Sequence, residues 1–299
     1  MVRNGRPLPI LYPRKSGVYR ISMNFKLLFP SFRNRYVFVQ RCLNELAREH
    51  TFDAGLNLGT GEGDYDRMIA GHCRTLTSCD INADDIAHAQ VLNRGVLNLH
   101  YETNDALALT YPDASFDVLV SCEVIEHVGK PDRMVQEIAR VLRPGGYAVM
   151  TFPSREFPVT YDPVNRLWNW LRKPGTREYL ISQGAYAFGH EYLIGTDEFK
   201  RWAKHSGLEL VEFRPLSGYL VGLLEMYWTG IVQRIFKKNA RNVTKDTHGG
   251  LKMRPASTKA PALVFITDAI LAIDRLLFTW GRFSVGKGVI LRKPASPLF

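Results

Sequence analysis

Asn57-Leu58-Gly59-Thr60-Gly61-Glu62-Gly63-Asp64 is the stretch that decides the fold. It joins a short apolar run to an expected helix. Glycine is needed where the chain turns with positive φ, or where backbone approaches a ligand closely. A dinucleotide fingerprint, GxGxxG, would need glycine at position 64, where this chain has an aspartate whose carboxylate would repel a pyrophosphate. The loop therefore favours a ligand without phosphates, and a plain strand-to-helix turn is the alternative.

Strands and helices alternate around this loop. The apolar runs predict strands at residues 54–58, 76–79, 96–101, 116–121, 147–152, 208–213 and 288–291. Helices are predicted at residues 33–48, 64–70, 84–93, 131–142 and 197–206, the last with Thr196 as its N-terminal cap. Alternation at this spacing predicts an α/β fold with βαβ units and a mostly parallel, seven-stranded sheet.

Polar residues stand at the ends of consecutive predicted strands. Asp80 ends the second, Asn104-Asp105-Ala106 follow the third, and Ser121-Cys122-Glu123 follow the fourth. In an open parallel sheet, ligands bind beyond the carboxyl ends of the strands. We therefore expect these residues to line one pocket together with the glycine loop.

Several of these markers together resemble a known family. The markers are LNLGTGEG at 56–63, Asp80, Asp105, ASFDVLVSCEVIEHV at 114–128 and LRPGG at 142–146. In these markers the chain resembles the class I S-adenosylmethionine (SAM)-dependent methyltransferases, specifically the type 11 small-molecule subgroup. The resemblance runs from about residue 54 to 152, and a weaker similarity continues to about residue 213. It implies a Rossmann-like fold and SAM as the cofactor.

The resemblance also implies roles for individual residues. In that family the glycine loop packs against the methionine part of SAM, the acid matching Asp80 binds the ribose hydroxyls, and the position matching Asp105 lies by the adenine. The chain departs from the family at Asn57, where aspartate is common, because an amide brings no negative charge to the cationic cofactor. We therefore expect weaker binding of SAM. The expected cofactor-binding residues are Asn57, Gly59, Thr60, Gly61, Gly63, Asp80, Ile81, Asn104, Asp105, Ala106 and Glu123.

Two histidines are candidate general bases for a hydroxyl acceptor. His127 follows the fourth predicted strand, and His190 precedes the helix predicted at 197–206. A structural histidine is the alternative at both positions. Glu123, Glu126 and His127 also resemble the metal-binding trio of quinone-biosynthesis O-methyltransferases. A salt-bridged helix start explains that trio equally well, and our leading interpretation has no metal.

Residues 215–284 differ in character from the rest of the chain. Two very apolar stretches, 219–236 and 260–280, flank a polar and basic one, and we predict a largely helical insertion before the last strand. An apolar face with a Lys/Arg margin is typical of helices at a membrane surface. We therefore expect a small-molecule acceptor that is lipid-linked or otherwise hydrophobic, such as a lipid or glycan intermediate, and peripheral membrane contact. Packing on the sheet or on a dimer partner is the alternative.

The charge is unevenly distributed. The net charge is +10, yet residues 51–150 hold seven Lys and Arg against fifteen Asp and Glu, so an acidic segment lies between basic flanks. An RNA methyltransferase is one alternative that basic flanks suggest, but we do not expect a nucleic-acid partner, because no recognised RNA-binding module is present. A non-catalytic scaffold with a SAM-binding fold is the other alternative.

The organisation predicted from these patterns has four parts. A basic arm and helix occupy residues 1–50, the SAM-binding domain 51–214, the insertion 215–284, and the last strand and tail 285–299. The sequence contains no run of about twenty apolar residues, and we expect a cytoplasmic protein, peripheral at most to the inner membrane surface. The four cysteines are expected to be reduced thiols.

Overall fold

A computed structural model describes residues 23–156, 167, 170–171, 193–224, 243–245, 251–253, 257–279 and 284–295. The helices are α1 (Pro30–Leu46), α2 (Asp66–Ala70), α3 (Ala83–Leu92), α4 (Pro131–Val141), α5 (Thr196–His205), α6 (Tyr219–Leu223) and α7 (Val264–Leu277). Short 3-10 helices span Phe25–Leu28 and Ile125–His127. No helix in the described ranges is long and apolar enough to cross a bilayer.

One seven-stranded sheet organises the chain. Its strands are β1 (Phe52–Leu58), β2 (Cys73–Asp80), β3 (Leu99–Thr103), β4 (Phe116–Cys122), β5 (Leu142–Pro153), β6 (Glu209–Ser217) and β9 (Gly286–Arg292). Their order in the sheet is β3-β2-β1-β4-β5-β9-β6. The first five are parallel, and β9 pairs antiparallel with both β5 and β6. The predicted α/β, Rossmann-like fold with a mostly parallel seven-stranded sheet is confirmed.

Helices cover both faces of this sheet, and β4 shows how the two cores are divided. Leu119 packs into the core beneath α4 and α5, whereas Val118 and Val120 pack into the opposite core with α1 and α2. Successive side chains of a strand point to opposite faces, so a strand buried on both sides is apolar throughout. The apolar run 118–120 at the centre of β4 therefore requires helices on both faces. All four cysteines are free thiols.

The prediction that Thr196 caps α5 is wrong. The cap is Gly195, and Thr196 is the first helical residue. Its backbone amide donates to Glu156 Oε1 at 3.0 Å, and its hydroxyl donates to the same carboxylate. The hydroxyl is thus occupied by a residue 40 positions away, which local sequence does not reveal.

The predicted helical insertion is described in part. α7 forms within the second apolar stretch and α6 at the start of the first, while 225–242 lies outside the described residues. Between the two stretches lies an antiparallel pair, β7 (Val243–Lys245) with β8 (Leu251–Met253). The insertion is therefore not purely helical.

Candidate active site

A cavity of about 590 Å³ opens beyond the carboxyl ends of β1, β2 and β4. This is the edge at which the sequence placed the candidate residues, and the volume lies within the usual range for small-molecule sites. Every predicted cofactor-binding residue except Gly63 lines it, and so does His127. His190, the other candidate base, lies outside the described residues.

The glycine loop presents open backbone to this cavity. Gly61 has φ +51°, and a Cβ added there would meet no atom within 4 Å. Its amide donates to Asp80 Oδ2 at 2.9 Å, which ties the loop to the end of β2. Gly59 has φ +76°, and a Cβ there would overlap the side chain of Val124. The loop can therefore lie flat against a ligand.

Gly63 meets a packing requirement instead. It has φ +86°, and a Cβ there would lie 2.6 Å from Asn93 Nδ2 and 2.8 Å from Ala89 Cβ. Asn93 also donates to the Gly63 carbonyl at 2.8 Å. Glycine is needed there because α3 packs against the loop, and the contact of Gly63 with the cofactor stays a prediction.

A buried carboxylate beneath the loop was missed by sequence reasoning. Asp66, the first residue of α2, is fully buried. It accepts hydrogen bonds from Asn57 Nδ2 at 2.6 Å, Thr60 Oγ1 at 2.8 Å, Ser78 Oγ at 2.7 Å and Tyr101 OH at 2.7 Å. Burial raises the pKa of the Asp66 carboxyl, and these donors offset only part of that rise. Asp66 therefore joins the loop to β1, β2 and β3.

These contacts explain the amide at Asn57. An aspartate at that position would bring a second carboxylate against Asp66, and two adjacent buried carboxylates cannot both ionise. The amide donates to Asp66 and also to Thr60 Oγ1, at 3.2 Å. Little in the sequence signalled this cluster, because Ser78 is one of several polar residues in β2.

Asp80 and Asp105 approach the cavity from neighbouring strand ends. Asp80 Oδ1 also accepts from the backbone amide of Asn82 at 3.0 Å, so both of its oxygens are positioned. Asp105 Oδ1 accepts from the amide of Leu107 at 2.8 Å. The Asn104 side chain exchanges hydrogen bonds with Thr110 and braces the loop that carries Asp105. The carboxylates are thus held in place before any ligand arrives.

The trio at the end of β4 does not form one face of an α-helix. Glu123 has φ +56° and accepts from Thr151 Oγ1 at 3.0 Å, and only residues 125–127 form a short 3-10 turn. Glu126 is buried, and burial together with the charge of Glu123 raises its pKa well above the usual value. His127 Nε2 lies 3.8 Å from Glu126 Oε1. Within the described residues, no group of three acidic, histidine or cysteine side chains is arranged to hold a metal ion.

Lys26 was not expected at the cavity, because it lies in the basic arm before the helix predicted at residues 33–48. The 3-10 helix Phe25–Leu28 places its ammonium 3.2 Å from Glu62 Oε2 and in contact with Asp64. Burial lowers the pKa of Lys26, but the attraction of the two carboxylates outweighs burial and leaves it above the usual value. The N-terminal segment therefore lies against the glycine loop.

The lining of the cavity is acidic. It contains one lysine and the carboxylates of Glu62, Asp64, Asp80, Asp105 and Glu123. SAM carries a sulfonium and an ammonium, so an acidic site with an open glycine backbone fits this cofactor. A pyrophosphate would be repelled here.

Comparison with known proteins agrees with this geometry. Residues 56–150 match the family described as "Methyltransferase domain". The chain is similar to a ubiquinone biosynthesis O-methyltransferase of Coxiella burnetii, with 29% identity over 164 residues that cover 52% of this chain and 64% of that protein. It is also similar to a probable S-adenosylmethionine-dependent methyltransferase of Mycolicibacterium smegmatis, with 33% identity over 132 residues that cover 44% of this chain and 48% of that protein.

The fold has solved counterparts. One is a putative sarcosine dimethylglycine methyltransferase from Galdieria sulphuraria, with a TM-score of 0.54, 15% identity, and 88% of this chain and 86% of that chain covered. At that identity the likeness concerns the fold alone. Over residues 56–150 the chain is therefore similar in sequence to the methyltransferase family, and its sheet has the Rossmann-like architecture expected of class I SAM-dependent methyltransferases.

Proposed function

We propose that this chain transfers a methyl group from SAM to a hydrophobic small-molecule acceptor, a lipid or glycan intermediate. The observation that carries the proposal is that the Gly61 backbone and the Asp80 and Asp105 carboxylates meet in one acidic cavity. Bound SAM supplies an activated methyl group on its sulfonium. The protein then has to supply mainly alignment, which can account for roughly 7–11 kcal/mol of barrier reduction.

The chain's own residues divide this work. The open backbone at Gly61 would hold the methionine part of the cofactor, Asp80 would accept from the ribose hydroxyls, and Asp105 would lie by the adenine. His127 lines the same cavity and accepts the proton of a hydroxyl acceptor as the methyl group is transferred. The name of the Coxiella burnetii relative, which refers to ubiquinone biosynthesis, supports a hydrophobic acceptor.

The decisive experiment is a mass-spectrometric comparison of cell extract incubated with SAM, with and without the protein. We expect at least one lipid-soluble species to gain one methyl group only when the protein is present. A methylated RNA and no methylated small molecule would contradict the proposed acceptor. Absence of SAM binding in calorimetry would contradict methyl transfer altogether and favour a scaffold.

Asp80→Ala is expected to weaken SAM binding by about 10- to 100-fold. The change removes a carboxylate that accepts from the ribose, and a hydrogen bond to a charged group contributes about 1.5–3 kcal/mol. It also releases the Gly61 amide from its partner. Calorimetric titration with SAM measures the loss.

The matched control is Asp84→Ala, which removes an exposed carboxylate of α3 that does not line the cavity. It should leave the affinity within about two-fold, since exposed charges contribute little. Equal losses in both variants would show that overall charge, and not the Asp80 position, determines binding.

A further inference from the structure

α7 buries two polar side chains while several of its large apolar ones are exposed. Thr267 and Asp274 are buried, whereas Phe265 is 64% exposed and Leu276 is 80% exposed. The Thr267 hydroxyl donates to the Leu28 carbonyl at 2.9 Å. Polar groups therefore help to attach the helix to the domain beside the buried Leu271, and several of its large apolar side chains remain exposed.

Asp274 explains why this orientation is stable. Its carboxylate accepts from the backbone amides of Gly218 at 2.6 Å and Val221 at 3.1 Å, at the start of α6. These amides have no partner within their own helix, so a buried carboxylate satisfies them. Turning α7 over to bury its apolar side would break these bonds and the Thr267 bond together.

The N-terminal segment adjoins α7 and is also apolar on its outer side. Phe25 and Phe29 are exposed, and the Asn24 amide donates to the Lys259 carbonyl at 2.9 Å. Arg33 forms a two-pronged ion pair with Asp268 of α7, at 3.0 and 3.1 Å. We use the term composite surface for the outward side chains of these two segments, Phe25, Phe29, Phe265, Ile266, Leu276 and Leu277.

The charge around the composite surface indicates what it meets. Residues 1–22, which lead into it, contain five Arg and Lys and no Asp or Glu, and residues 215–284 contain ten against four. Lys259 and Arg275 are exposed beside it. Basic residues beside an apolar face attract anionic lipid headgroups, whereas a second copy of the same basic surface would be repelled.

We propose that the composite surface docks on an anionic lipid leaflet, with its apolar side chains in the boundary between headgroups and acyl chains. The 3-10 helix that exposes Phe25 also carries Lys26, which lines the cavity. Docking therefore places the cavity beside the leaflet. The proposal goes beyond methyl transfer, and it is tested without SAM or an acceptor.

The test is flotation of the full chain with vesicles of phosphatidylcholine, alone or mixed with phosphatidylglycerol. The wild-type chain should float with the anionic vesicles and at least about ten-fold less with the neutral ones. The double variant Phe265→Glu/Leu276→Glu and the single variant Leu276→Glu should each bind the anionic vesicles at least about ten-fold more weakly. The reason is that burying each large apolar side chain in the leaflet contributes substantially to the free energy of membrane binding. Leu97→Glu, at an apolar residue that is 72% exposed elsewhere, should bind like the wild type.

The double variant Phe265→Lys/Leu276→Lys separates the contribution of apolar side chains to membrane binding from that of electrostatic attraction. It adds positive charge while removing apolar area, so weaker binding supports docking through the apolar side chains. Tighter binding would overturn the proposal, because attraction of charge alone would then suffice. Failure of the wild-type chain to float with anionic vesicles would overturn it too. So would a wild-type dimer in light scattering that Phe265→Glu/Leu276→Glu converts to monomer, since a second copy would then cover the surface.

Discussion

His127→Ala is expected to lower the turnover of a hydroxyl acceptor by about 10²- to 10⁴-fold, the usual contribution of a positioned general base. His127 lines the cavity at the end of β4, on the 3-10 turn that follows Glu123. Steady-state turnover with a hydroxyl acceptor measures the loss.

His205→Ala is the matched control. His205 lies exposed at the end of α5 and bonds to the Arg201 carbonyl at 2.7 Å, outside the cavity lining. It should retain wild-type turnover. If His127→Ala leaves turnover intact at every pH, His127 is a structural histidine and the assignment of a base is wrong.

Asp66→Asn is expected to lower the free energy of unfolding by about 2–4 kcal/mol. Donors from Asn57, Thr60, Ser78 and Tyr101 converge on this carboxylate. An amide of the same shape offers one acceptor oxygen and turns two N–H groups toward those donors. Each buried donor left without a partner costs about 1–3 kcal/mol. Urea denaturation measures the loss.

The matched control for that variant is Asp53→Asn. Asp53 is exposed and pairs with Arg74 at 3.3 Å, and an exposed ion pair contributes about 0–1 kcal/mol. The two substitutions remove the same charge, so only burial and the number of donors distinguish them. Equal losses would mean that Asp66 does not hold the loop together.

Local patterns in the sequence were sufficient for the sheet and for most of the cavity. Apolar runs separated by helical periodicity predicted all seven strands of the main sheet, because central strands such as β4 and β5 are buried on both faces over most of their length. In a parallel sheet the strand ends meet at one edge, so the glycine loop, Asp80 and Asp105 could be placed together from chain order alone.

Only the tertiary structure decided which distant groups meet. Lys26 reaches Glu62 across 36 positions, and Thr267 reaches Leu28 across 239. Asp66 has donors on three different strands, so no short stretch of sequence reveals its role. The orientation of α7 also depends on residues that are distant in sequence. Its apolar residues alone left open whether it meets a membrane surface or packs on the sheet. The orientation follows from the buried bonds of Thr267 and Asp274, whose partners come from elsewhere in the chain.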